Sequence, residues 1–242
     1  MKFEDIKKLH QKKFREELGF FFVEGEHLVQ ELEKAAARDA RLRTSEVYVT
    51  HEYEKRGGRL PTHVINARQM AQITETRSPQ GVAAVVPLLV APAPQAGERA
   101  VYLHEIQDPG NLGTILRTLA WFGGFRCLLS PDSVDVHNGK VVRASMGAVF
   151  HVPVEVDVPL AALAQRYRRV AALDLRGAAV ASREFREFDC YLFGNEARGL
   201  PREAVASSSA RAFTIPGAGA IESLNVAATV NIALYELNRA LN

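Results

Sequence analysis

The sequence predicts an α/β protein in two parts, a small N-terminal α/β domain and a larger parallel-sheet α/β domain. Three observations predict it. Short apolar runs alternate with helical stretches along the chain, an uncharged Pro- and Ala-rich run interrupts them near residue 90, and the apolar runs beyond it lack the in–out alternation of half-exposed strands. The 242 residues carry 30 Lys+Arg against 28 Asp+Glu, a net of +2, and are 47% hydrophobic and 24% charged. That composition excludes disorder, collagen and coiled coil.

In the first part, residues 3–18 read as a helix, 20–23 as extended, 27–37 as a helix, and 46–50 and 81–86 as short strands. Residues 89–99 read as a semi-rigid linker, which divides the chain into 1–88 and 100–242. In the second part, residues 101–103, 127–129, 152–154, 170–173 and 191–193 read as buried strands, with helices at 112–122, 160–168 and 224–241. Val226, Val230, Ala233, Leu234, Leu237 and Leu241 form one stripe of the last helix. The expectation is a parallel sheet with helices on both faces.

The two cysteines, Cys127 and Cys190, lie in apolar runs, as reduced thiols of a cytosolic protein do. Residues 78–97 lack charge but contain Pro79, Pro87, Pro92 and Pro94, too many for a spanning helix. Residues 1–15 hold six basic residues against Glu4 and Asp5 and no apolar run, so they do not read as a signal peptide. This local excess on a nearly neutral chain is either a solvated helix face or a polyanion contact. Neither zinc-ligand spacing, a nucleophile elbow nor a Walker loop is present, and no metal is expected.

Ligands of open parallel sheets bind beyond the carboxyl ends of the strands, and three loops there are polar. In His104–Arg117, Asn111 is a candidate helix N-cap. Arg117, one turn after Gly113, is either a phosphate clamp or a surface arginine paired with Glu105 or Asp108. In Tyr191–Pro201, a buried strand runs into Gly194, Asn195 and Glu196, polar content that is costly unless paired or used. In Phe213–Val226, Ser223 is a candidate cap and Asn225 falls in the first turn of the last helix. Gly217-Ala-Gly219 is a weak dinucleotide signal, lacking a third glycine and a following acid.

Taken in order, Asn111-Leu-Gly-Thr-Ile-Leu-Arg117, Phe193-Gly-Asn-Glu196, and Ile215-Pro216 with Ser223-Leu-Asn225 resemble the three motifs of the SpoU/TrmH family of RNA ribose 2′-O-methyltransferases. Residues 133–150 resemble the stretch between the first two motifs. Phe21–Glu31 and Pro79–Val82 resemble the family's RNA-binding domain, a fold akin to a ribosomal protein of the L30e type. Ala227 and Leu119 depart from the family pattern at packing positions.

The resemblance implies a SPOUT-type catalytic domain, with a parallel sheet whose C-terminal segment threads a loop in a trefoil knot. It implies S-adenosylmethionine as cofactor, held by backbone groups of Gly194, Ile215 and Leu224, and a homodimer with its site at or near the subunit interface. Arg117 would be the catalytic arginine, with Asn111, Glu196, Ser223 and Asn225 as site partners. Lys7, Lys8, Lys12, Lys13, Arg15 and Arg143 would contact RNA, and large-subunit rRNA is the expected substrate. A tRNA methyltransferase, a non-catalytic RNA-binding relative and a nucleotide-dependent enzyme are the alternatives.

Overall fold

The computed structural model describes residues 1–202, 205 and 209–239. In chain order its strands are β1 (Phe20–Glu24), β2 (Glu46–Thr50), β3 (Thr62–Ile65), β4 (Val82–Pro87), β5 (Arg99–Leu103), β6 (Phe125–Leu129), β7 (Val154–Glu155), β8 (Val170–Ala179), β9 (Cys190–Phe193) and β10 (Arg211–Thr214). The helices are α1 (Phe3–Ile6), α2 (Lys12–Leu18), α3 (Glu26–Ala36), α4 (Ala67–Ile73), α5 (Pro109–Phe122), α6 (Gly139–Ser145), α7 (Leu163–Arg166) and α8 (Val226–Asn238). Contacts group the chain into two compact units, one of Met1–Leu89 with Asp135–His151, the other of Val90–Val134 with Val152–Asn242.

The first unit is built on a four-stranded sheet of order β1-β4-β2-β3, antiparallel except for the β2–β3 pair. Helix α3 buries Leu28, Val29, Leu32, Ala35 and Ala36, spaced as one face of a helix requires. Helix α4 and strand β3 go beyond the sequence expectation, although Asn66 and Gln69 form a reciprocal capping box. The helix expected over residues 3–18 is interrupted. Gln11 is extended (φ −102°, ψ 133°), and a 3₁₀ turn at Lys7–His10 separates α1 from α2.

Residues 135–151, assigned to the second part in the sequence reading, belong to the first unit. Arg15 explains part of this. Its guanidinium is 4% exposed, donates to the Asp135 carboxylate through Nε (3.0 Å) and Nη2, and reaches the Leu9 carbonyl through Nη1 (2.7 Å). The His137 ring packs against Phe21, tilted by 40° with centroids 4.6 Å apart, and α6 buries Val141 and Val142.

The second unit is a six-stranded, wholly parallel sheet of order β10-β8-β9-β5-β6-β7. Its central strands are buried throughout except at Arg99, the first residue of β5, matching the uninterrupted apolar runs. The residues between Ala172 and Ala178 are skipped in pairing with β10. Gly177 lies at that irregularity, where a Cβ would come within 2.4 Å of the Ala212 carbonyl oxygen, so only glycine permits the approach. Buried Arg126 on β6 holds Glu98 and Glu155 and donates to the Pro92 carbonyl (2.8 Å), fixing the Pro-rich segment to the sheet. Ala227 and Leu119 are buried, consistent with packing roles. Leu241 lies outside the described residues. Among the described residues, no helix is long and apolar enough to cross a membrane.

Candidate active site

Three loops at the carboxyl ends of β5, β9 and β10 meet through side chains. The start of α5 is fixed by Asp108, whose carboxylate accepts from Asn111 N–H at 2.7 Å, with Pro109 at the first helical position. Asp108 is therefore the cap, not Asn111. Relieved of capping, the Asn111 side chain points to the other two loops.

The start of α8 is likewise capped by Asn225 and not by Ser223. Asn225 Oδ1 accepts from the N–H groups of Ala227 (2.9 Å) and Ala228 (3.2 Å). With Oδ1 committed to two donors, Nδ2 is the group left to face outward, and it donates to Asn111 Oδ1 at 3.0 Å. Asn111 Nδ2 then donates to Glu196 at 3.2 Å. Glu196 also accepts from the main-chain N–H of Gln107 (3.3 Å) and Asp108 (3.1 Å). The polarity of the relay runs one way, from the α8 N-terminus through two amides to one carboxylate.

Asn195 settles the polar content at the end of the buried β9 strand. It is buried, donates through Nδ2 to the Glu105 carbonyl (2.7 Å), and accepts through Oδ1 from Ala197 and Arg198 N–H. The sequence reading left it without a role, yet its place between Gly194 and Glu196 was the available signal. Gly194 is packed by its own loop. A Cβ there would lie 2.4 Å from the Gly199 carbonyl carbon and 2.6 Å from Leu200 N.

The Arg117 side chain is exposed and has neither ion pair nor hydrogen bond among the described residues. The pairing with Glu105 or Asp108 that would make it an ordinary surface arginine is absent; Arg198 takes Glu105 instead. Ser223 is exposed and also makes no hydrogen bond to a described residue. Between Ile215 and Leu224, main-chain donors and acceptors form no hydrogen bond to any described residue. A run of uncommitted peptide groups beside the three-loop relay suits a ligand read through the backbone, as an adenosine is.

The basic residues divide. Lys7 and Lys13 are exposed without an ion pair among the described residues, while Lys8 pairs with Asp5 (2.7 Å) and Lys12 with Glu16 (3.7 Å). Arg15 is no part of an exposed patch, because Asp135 and Leu9 consume its guanidinium. Arg143 is half-buried and faces Glu75 (3.6 Å) and Glu24 (4.0 Å).

A parallel α/β unit with its polar relay at the strand ends, joined to a small α/β unit, defines a two-part ligand-binding protein of the SPOUT fold class. Residues 98–235 match the SpoU rRNA Methylase family and residues 2–84 the MRM3-like substrate binding domain. The chain belongs to the SpoU rRNA methylase family. It is 31% identical over 248 residues to the 23S rRNA (guanosine(2553)-2′-O)-methyltransferase RlmP of Bacillus subtilis, covering 98% of this chain and 95% of that protein. The AdoMet-bound rRNA methyltransferase of Sinorhizobium meliloti superposes with a TM-score of 0.83 at 31% identity, over 99% of this chain and 95% of that one. The SpoU methyltransferase AviRb of Streptomyces viridochromogenes shares the fold, with a TM-score of 0.83 at 22% identity over 99% of this chain and 97% of that one.

Proposed function

We propose that this protein methylates a ribose 2′-hydroxyl of large-subunit ribosomal RNA with S-adenosylmethionine. The observation that carries the reading is the Asn225–Asn111–Glu196 relay, which joins all three loops; Arg117, on the same helix as Asn111, has a side chain with no ion pair or hydrogen bond among the described residues. Supporting it are the family match and an rRNA methyltransferase relative spanning nearly the whole chain.

The main chain of Ile215 and Leu224, without hydrogen bonds among the described residues, and the backbone at Gly194 would hold the adenosine part of the cofactor. When bound, S-adenosylmethionine supplies a methyl group on a sulfonium, already a good leaving group. The protein's task is then to orient the ribose hydroxyl and ease the loss of its proton. Arginine stays protonated below about pH 12, so Arg117 serves as a cation that binds the adjacent phosphate or steadies negative charge on the 2′-oxygen. Glu196, Asn111 and Asn225 hold the loops in register around it. Ser223, exposed and without a hydrogen bond among the described residues, would meet substrate or cofactor. Lys7, Lys8, Lys12, Lys13 and Arg143 supply phosphate contacts on the first unit.

A homodimer is supported by apolar surface on α5 and α8, which are tied by Thr118 and Asn231. Trp121 is 86% exposed, Tyr235 56% and Ile232 37%. A cytoplasmic location is supported by two buried free thiols, typical of a reducing compartment.

Titration calorimetry with S-adenosylmethionine, together with transfer of a tritiated methyl group to large-subunit rRNA and mapping of blocked 2′-hydroxyls, tests the reading. Micromolar binding and one ribose-methylated site are expected. Cofactor binding without transfer to any RNA would sink the enzymatic assignment.

A further inference from the structure

Glu105 is a carboxylate residue in a left-handed backbone conformation, with φ of 47°, at the turn after β5. Side chains seldom adopt this geometry, and it persists only where the surroundings enforce it. Here three contacts enforce it. Its N–H donates to Ser130 Oγ at 2.6 Å, and its carbonyl accepts from Asn195 Nδ2 at 2.7 Å and Gln107 Nε2 at 3.2 Å. The turn therefore staples the first polar loop to the second, and aims the Glu105 carboxylate at the Arg198 guanidinium.

Arg198 sits two residues past Glu196, in the turn closed by the Asn195–Gly199 bridge, and its N–H is fixed by Asn195 Oδ1 at 3.1 Å. Its side chain is 72% exposed and that of Glu105 28%. An ion pair so open to water adds little net stability, so an incoming anion exchanges for the carboxylate at little cost. The pair nevertheless restricts a long, flexible guanidinium to one place beside the site.

We propose that Arg198 binds a backbone phosphate of the substrate RNA and that Glu105 is the residue that positions it. The proposal rests on the RNA methyltransferase reading above. Guanidinium suits a phosphate through its fork of donors, and Glu105 presents Arg198 at the rim of the relay until the RNA arrives.

The test uses full-length protein and in vitro transcribed large-subunit rRNA, with filter binding across a salt series, steady-state methyl transfer, and calorimetry for S-adenosylmethionine. Arg198→Gln is expected to raise the KM for RNA roughly fivefold or more and to lower the slope of log K against log salt by about 0.7–0.9, the value of one phosphate contact. Cofactor affinity stays unchanged, and Arg198→Lys keeps the slope. Glu105→Gly retains the turn, because glycine accepts positive φ, and removes the side chain with its carboxylate. It is expected to raise the KM about twofold alone and to add nothing to Arg198→Gln. An unchanged salt slope in Arg198→Gln, or loss of cofactor affinity in parallel with the KM rise, overturns the proposal. Wild-type protein that neither binds S-adenosylmethionine nor labels RNA overturns the parent reading instead.

Discussion

The side-chain amide of Asn225 donates to Oδ1 of Asn111 at 3.0 Å across 114 residues of chain, while its own oxygen caps α8. One side chain thus starts a helix and orders the site. Asn225→Ala loses both roles, and the cap alone is worth about 1 kcal/mol of stability in urea unfolding. Asn225→Asp keeps an acceptor at the helix N-terminus, where negative charge is favoured, but has no donor for Asn111. Its unfolding free energy is expected to stay within about 0.5 kcal/mol of wild type. Methyl transfer is expected to fall roughly tenfold, the worth of one hydrogen bond in a charged network. Equal activity in the Asp variant would remove the relay from the account of the site.

Gly194 makes a second prediction, from packing. The nearest atoms to an added Cβ are the backbone of Gly199 and Leu200, at 2.4–2.7 Å, and backbone cannot swing aside as a side chain does. Gly194→Ala is expected to cost about 1–3 kcal/mol and to weaken S-adenosylmethionine binding in calorimetry, because the second loop must shift. A variant with wild-type stability and cofactor affinity would show that this loop yields without consequence.

Arg117 makes a third. Its side chain has no polar partner among the described residues, so its removal breaks no ion pair or hydrogen bond to any of them. Arg117→Ala is expected to leave the unfolding midpoint within experimental error and cofactor affinity intact, while methyl transfer falls by about a hundredfold or more. Arg117→Lys offers a point charge without the fork and is expected to recover little. Parallel loss of cofactor binding and transfer would refute this division of labour.

The legibility of these features differs for physical reasons. Buried parallel strands announce themselves because both faces are apolar, and β5, β6 and β9 contain the expected runs, each extended by one or two residues at its start. Asn111, Glu196 and Asn225 stand out in the sequence as candidates, but the hydrogen bonds that connect them do not. Residues 223 and 225 are both good capping types, and the structure uses Asn225, whose Oδ1 accepts from Ala227 and Ala228 N–H. At α5, Pro109 was a local signal that the helix begins earlier than Asn111. Arg15 was illegible for the opposite reason. In sequence it is one of six basic residues in a run, whereas its partner Asp135 lies 120 residues away.

That same buried cluster yields a prediction about pH. Burial holds His137 well below its ordinary value, down to about 4; the Asp135 carboxylate pulls it up and Arg15 pushes it down. A histidine depressed in the folded state stays neutral there, while in the unfolded chain it takes a proton near pH 6.5. Between pH 6.5 and 4 the unfolded state therefore binds about one more proton, and stability falls as pH falls, by about 1.4 kcal/mol per pH unit where the difference is complete. Across the whole window this amounts to about 3 kcal/mol, as an order of magnitude. Burial is the largest single influence and works against ionised Asp135, but the Arg15 hydrogen bonds, the His137 N–H and the nearby positive charge together outweigh it and hold its carboxyl below the usual range. Its contribution is thus present above about pH 4 and lost only below. Urea unfolding of wild type at pH 7, 6, 5 and 4 is expected to show a progressive drop, and His137→Gln a flatter profile over the same interval. Identical slopes in the two proteins would show that His137 does not sense the protons of this unit.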